Sequence, residues 1–309
     1  MRYICAQPAT NYYTWQVEVL INNFLKNGVN PNKIDILCAI NNNHIPQEWI
    51  KLQQHYNTVR FFFYNDTRPD KSYIPSVYFN LMSSHMKTNP ELVQERLFLH
   101  DSDIVFTRPP ELGWAEHGKI WYMSDTNSYI NYDYVMQKGE ENYEKMCEIV
   151  GLDKTIPKLM NSNSGGAQYI IIGEDHNFWD KVERDSVEMY RYFCQAESTY
   201  KPRYEGDPPI QKWTAGMWAL LWNAWKNGHE TKVDWRLDFG WATHGIDTVQ
   251  KHWILHNAGV MAEQKDLFYK ANYMNKLPYN EDLQIREDSA SMYYWQQVQE
   301  AAKVSVLLR

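Results

Sequence analysis

The chain has 309 residues, of which 44% are hydrophobic and 22% charged, and carries a formal net charge of −7. That length and balance suit a soluble globular protein with one large α/β domain or two small ones, and the lack of any block of basic residues excludes a nucleic-acid footprint. No run of about 18 apolar residues occurs, which excludes a spanning helix, and the opening MRYICAQPAT lacks a signal-peptide layout, so a cytoplasmic protein is expected.

Strand and helix patterns alternate through the first hundred residues. RYICAQ (2–7) is a short apolar run. In 14–28, Trp15, Val17, Val19, Leu20, Ile21, Phe24 and Leu25 form a helical stripe that stops at Gly28. KIDILCAI (33–40) and VRFFFYND (59–66) are further strands. Pro75 opens a helix, as proline suits a first turn. The strand 96–101 then runs into HDSD, where Asp101 and Asp103 flank Ser102. Strands alternating with helices imply parallel β-α-β units. Ligands in such sheets gather beyond the C-terminal strand ends, where Gln7 to Thr10, Asn65, Asp66 and Asp101 to Asp103 all fall.

The second half is less regular. KIWYMSD (119–125) is a strand ending in an acid, and TNSYINYDYV reads as a polar, aromatic loop. NSNSGGAQYIIIG (161–173) joins a glycine-bearing turn to a buried strand. Residues 178–193 read as a helix, 200–209 as a charged, proline-rich loop, and 211–228 as a helix closed by glycine. HWILHNAG (252–259) is a late strand ending in His256, and the tail 289–308 forms a helix capped by Ser289. Four cysteines, Cys5, Cys38, Cys147 and Cys194, show no C-x-x-C spacing, which argues against a zinc site or a disulfide scaffold.

Two carboxylates at i and i+2 suit a hard divalent cation, which seeks several oxygens. The chain is expected to bend after the strand, so that one acid binds directly and the other partly through water or backbone. A cation there turns two negative charges into an anchor for diphosphate; without it they repel each other and the phosphates. His256, closing an apolar strand before Asn257 and Gly259, is the candidate third ligand, with His252 and then His244 as competitors, since imidazole joins carboxylates at Mn²⁺-like sites.

HDSD, WYMSD, NSGG, EGDPPIQ and LHNAG, in that order over residues 1–262, resemble the motif series of metal-dependent glycosyltransferases of the GT-A fold. The series looks most like the retaining family that includes glycogenin and bacterial lipopolysaccharide galactosyltransferases. TWQVEVLINNF and QKWTAGMWALLWNAWKNG are also similar to plant hydroxyproline arabinosyl- and serine galactosyltransferases. The resemblance implies a Rossmann-like mixed sheet flanked by helices in a single catalytic domain, 1–262. Residues 1–103 would be its nucleotide-binding half and 104–262 its sugar and acceptor half, with a C-terminal helical extension at 263–309. It further implies Mn²⁺ or Mg²⁺ held by Asp101, Asp103 and His256, and a UDP-sugar donor. Gln7, Pro8, Ala9 and Thr10 would line the base and ribose pocket, with Asp66 and Ser102 as further contacts. Asn257 and Gly259 would approach the diphosphate. Asp125, Asn163, Gly165 and Gly166 would meet the donor sugar, and Asp207 and Gln211 would lie near the anomeric carbon. The acceptor would be a glycan or a glycoprotein, and the C-terminal helix packs on the domain or contacts membrane-linked acceptors.

Two other classes use the same residues differently. A phosphodiester or phosphoryl-transfer enzyme would build a two-metal site, which calls for more clustered acids than one pair and a histidine. A non-catalytic carbohydrate-binding protein would use aromatic platforms such as those in NYYTW and WALLWNAW, and would leave the acids idle.

Overall fold

A computed structural model describes residues 1–309. Along the chain run β1 (Arg2–Pro8), α1 (Asn11–Lys26), β2 (Ile34–Ile40), α2 (Gln47–His55), β3 (Arg60–Asn65), α3 (Val77–Thr88), β4 (Arg96–Leu99) and β5 (Ile104–Phe106). Then come β6 (Trp121–Asp125), α4 (Tyr132–Lys138), α5 (Glu140–Val150), α6 (Ile156–Leu159), β7 (Gly165–Ile172), α7 (His176–Thr199) and α8 (Ala215–Lys226). Last are β8 (Thr231–Val233), β9 (Phe239–Trp241), α9 (Thr248–Lys251), β10 (Ile254–His256) and α10 (Ala290–Val304). The fold is mixed α/β, sheet flanked by helices, as expected. No helix is long and apolar enough to cross a membrane.

The chain divides into two compact units. The first comprises Met1–Asn65, Phe98–Glu116 and Arg236–Arg309; the second comprises Asp66–Leu97 and His117–Trp235. In the first unit, β1, β2 and β3 are parallel neighbours, with Cys5 opposite Ile36 and Leu37 opposite Phe62. β2 is buried along its whole length, which is why it reads as an unbroken apolar run rather than an alternation. A second sheet, β5-β10-β9, runs antiparallel between β5 and β10 and parallel between β10 and β9.

α10 lies on α1, with Trp15 and Val19 packed against Phe268, Tyr273, Tyr294, Trp295 and Val298. Ser289 caps α10 by accepting a bond from Met292 N at 3.2 Å. A polar clasp sits beside this apolar layer. Glu18, fully buried on α1, accepts from Tyr279 Oη at 2.6 Å, Ser305 Oγ at 2.7 Å and Val306 N at 3.0 Å. Residues 263–309 are therefore joined to α1 by both ring packing and a shared carboxylate.

In the second unit β7 is antiparallel and β8 parallel to β6, with a register shift after Met123. α7 packs against α3 and α8, and Asp175 caps it by accepting from Asn177 N at 2.9 Å and Phe178 N at 3.1 Å. Four helices escaped the sequence reading, α2, α5, α6 and α9; α5 ends where Gly151 takes a left-handed φ of 70°. The presumed loop at 126–135 is also corrected. It enters α4 because the Asn131 side chain accepts from Tyr134 N at 2.7 Å, an N-cap that outweighs the weak apolar periodicity there.

Candidate metal and nucleotide site

β4 ends at Leu99, and Asp101-Ser102-Asp103 form the bend into β5. The chain turns at the D-x-D, between the end of β4 and the start of β5. β10 lies antiparallel to β5 with His256 opposite Ile104, the residue after Asp103. Asn257 N donates to Asp103 O at 3.0 Å and locks that register. Strand pairing therefore delivers the imidazole to the acids. His256 Nε2 lies 3.2 Å from Asp103 Oδ1 and 3.4 Å from Asp101 Oδ2. One ligand atom from each residue falls within 4.8 Å of the other two.

The imidazole is oriented by its neighbours. Trp241, opposite His256 on β9, stacks on it at 6.3 Å with 9° between planes, and Phe239 lies at 5.4 Å. His256 Nδ1 is buried and has no hydrogen-bond partner in the protein. Both polar atoms of the Asn257 side chain, only 2% exposed, are likewise unpaired. Buried amides are ordinarily satisfied, and this one has both a donor and an acceptor to offer beside His256. Gly259 takes φ 82°, and a Cβ there would stand 3.2 Å from Trp241, so glycine suits both the turn and the close ring.

Lys270, which the sequence reading did not single out, pairs its ammonium with Asp103 Oδ2. It opens a short 3₁₀ turn, Lys270–Tyr273. The acids consequently differ. Desolvation raises Asp101, with repulsion from Asp103 adding to it against His256. At Asp103 the same desolvation is overcome by Lys270 and then His256, which hold it well below the usual carboxylate range. Desolvation would lower His256, yet Asp103 and Asp101 raise it on balance. Two acids and an imidazole within reach of one point, in a partly desolvated surround, form a donor set that fits a hard divalent cation.

The other residues expected at β1's end sit in this unit too. The Gln7 amide donates to Leu37 O at 2.9 Å, so that group is spent on β2 while its Oε1 is unpaired. Pro8 closes β1, Ala9 N bonds Ala39 O at 2.8 Å, and Thr10 is exposed at the start of α1. Ser102 is buried between the acids.

The remaining expected residues lie in the second unit. Asp66 is bound by Arg68 Nε at 2.9 Å and Lys71 at 3.0 Å. Burial would raise its carboxyl, but these cations lower it to about 2. Asp125 pairs with Gly165 across β6 and β7 and accepts at Oδ1 from Asn127 N and Nδ2, both at 2.9 Å. The carbonyl of Asn163 accepts from Thr231 Oγ1 at 2.8 Å. Gly165 and Gly166 owe their identity to crowding. A Cβ on Gly165 would come within 2.5 Å of Ser124 O, and one on Gly166 would run into the Met217 methyl. The left-handed residue here is Ala167, with φ 66°, within β7 where its pairing with β6 shifts register. Asp207 is gripped by Arg203 Nε at 2.7 Å and Lys138 Nζ at 3.1 Å, and bonding to Arg203 above all holds it far below the usual range. Gln211 N donates to Tyr134 Oη at 3.3 Å.

No protein-family model and no curated protein matches the chain. Among solved structures, the chain is similar to a WbbM bifunctional glycosyltransferase, with TM-score 0.49, 10% identity, and 98% of this chain and 51% of that one covered. It is similar to glycosyltransferase GlyE of Streptococcus pneumoniae, with TM-score 0.40, 11% identity, and coverage of 98% and 61%. A third is glucosyl-3-phosphoglycerate synthase of Mycobacterium tuberculosis in complex with Mn²⁺, UDP and glucosyl-3-phosphoglycerate. Its TM-score is 0.36 and identity 9%, over 86% of this chain and 75% of that one. The chain thus spans about half the length of the first and about three fifths of the second.

Proposed function

We propose that the chain is a metal-dependent glycosyltransferase of the GT-A type. It takes the sugar from a nucleoside diphosphate donor, a UDP-sugar first, and passes it to a glycan or protein-linked acceptor. The observation that carries this reading is the convergence of Asp101, Asp103 and His256 from chain stretches far apart in sequence, within 4.8 Å. The buried, unpaired amide of Asn257 next to His256 adds a donor and an acceptor for a polar ligand.

Asp101, Asp103 and His256 would hold Mn²⁺ or Mg²⁺, which would supply charge stabilisation for the departing diphosphate. Asn257 would bond a phosphate oxygen, and residues 7–10 with Ser102 would bound the base and ribose. In this reading residues 1–103 serve the nucleotide, 104–262 the sugar and acceptor, and Asp125 with the Asn163–Gly166 turn would accept from sugar hydroxyls. Asp207 bears on stereochemistry. A general base works best near neutral pKa, whereas Asp207 is locked to Arg203 and Lys138 and resists protonation. It suits a fixed negative charge near the oxocarbenium-like centre rather than a proton acceptor, which leaves Glu205 as the candidate base if the reaction inverts.

The test is calorimetry with UDP, with and without Mn²⁺, followed by a screen of UDP-sugars for release of free UDP. Metal-dependent UDP binding that Asp103→Asn abolishes is the expected result. Metal-dependent cleavage of bis-p-nitrophenyl phosphate without UDP binding would replace this reading by the phosphodiesterase. Binding of free sugars indifferent to nucleotide and metal would replace it by the carbohydrate-binding protein.

A further inference from the structure

Lys270 offers its ammonium to the same Asp103 carboxylate that a divalent ion would need. The backbone carrying it is fixed on both sides. Phe268 is fully buried and its N–H donates to Ser291 Oγ at 2.7 Å, while Tyr273 O accepts from Trp15 Nε1 at 3.3 Å. The side chain itself keeps 29% exposure, and a lysine stem can swing its head group without moving the backbone. A pinned base with a free arm, resting on a ligand atom, is a competitor for the ion.

We infer that Lys270 is a built-in cation that holds Asp103 until a divalent ion displaces it, so that metal and nucleotide diphosphate bind cooperatively. The inference rests on the proposed function. Metal entry puts the positive charges of ion and ammonium side by side, which costs free energy unless Lys270 moves to another anion. The diphosphate that accompanies the ion is such an anion. Metal alone therefore binds against Lys270, and metal with UDP binds alongside it. By linkage each ligand strengthens the other by the same factor.

The experiment is a titration of the chain with Mn²⁺, free ion being read by electron paramagnetic resonance, with and without UDP. For the wild type, UDP should tighten Mn²⁺ by about tenfold or more, a usual size for coupled sites. Lys270→Met should bind Mn²⁺ alone more tightly than the wild type, and the enhancement by UDP should shrink several-fold. Lys270→Gln should do the same, and circular dichroism checks that both variants fold. Mn²⁺ affinity and UDP coupling unchanged in both variants would overturn the inference and leave the metal site standing. Absence of Mn²⁺ binding in every form, UDP present, would sink the metal reading together with it.

Discussion

Replacing Glu18 by alanine tests whether the carboxylate that joins α1 to residues 279, 305 and 306 stabilises the fold. The change leaves the Tyr279 and Ser305 hydroxyls and the Val306 N–H without their acceptor, and these residues lie in a region where Tyr279 is 8% and Ser305 3% exposed. An orphaned buried donor costs about 1–3 kcal/mol. Tyr279 retains Trp15 O at 3.3 Å as a second acceptor, and removing a buried carboxylate recovers its desolvation. The expected net loss is about 2–4 kcal/mol at pH 5, a large share of the roughly 5–15 kcal/mol typical of a folded domain. The pH dependence has a definite sign. Burial raises the Glu18 carboxyl above its ordinary value despite the three donors, so the folded chain binds that proton more tightly than the unfolded one. Its contribution is complete below the ordinary glutamate range and declines as pH climbs through the raised folded value. The gap between wild type and Glu18→Ala, measured by urea denaturation followed by tryptophan fluorescence, should accordingly be largest below the ordinary glutamate range and narrow as pH rises above it. A loss below about 1 kcal/mol at pH 5, or a gap that widens with pH, would refute this account.

Four further outcomes are expected. His256→Asn should weaken Mn²⁺ binding by about 100-fold, at or beyond the upper end for outer-shell changes, with the fold retained by circular dichroism; unchanged affinity in calorimetry removes His256 from the ligand set. Gly165→Ala should lower stability by about 1–3 kcal/mol through overpacking, because its Cβ meets the Ser124 carbonyl at 2.5 Å. Gly166→Ala should cost less, since its Cβ meets the end of a flexible methionine; equal urea midpoints for the two variants would contradict that distinction. Chelation of divalent ions with EDTA should weaken UDP binding by the same factor by which UDP tightens Mn²⁺, and restored Mn²⁺ should return it, as read by calorimetry.

The three metal-ligand candidates were legible because each borders an apolar run, and a charge or imidazole at the edge of a buried strand is conspicuous. Their meeting was not derivable from spacing; it follows from the β5–β10 register that sets His256 against Ile104. Lys270 was hidden because the stretch around it has no periodicity, and its place depends on how Phe268 and Tyr273 seat against Trp15 on α1. Glu18 passed unnoticed as one polar residue inside an apolar helical stripe, since its partners lie at the far end of the chain. Gly165 and Gly166 were seen as a place for a ligand to approach, but their immediate neighbours are Ser124, Met123 and Met217. A one-dimensional pattern reports burial well and reports which distant side chain fills a given gap poorly.

Asp101, Asp103, His256 and Lys270 all belong to the stretches flanking residues 117–235. The intervening 119 positions (235 − 117 + 1) supply none of these four groups. In the proposed reading, substitutions within that insert, which carries Asp125, Gly165 and Asp207, can change the sugar or acceptor contacts without touching any of the four groups assigned to the ion.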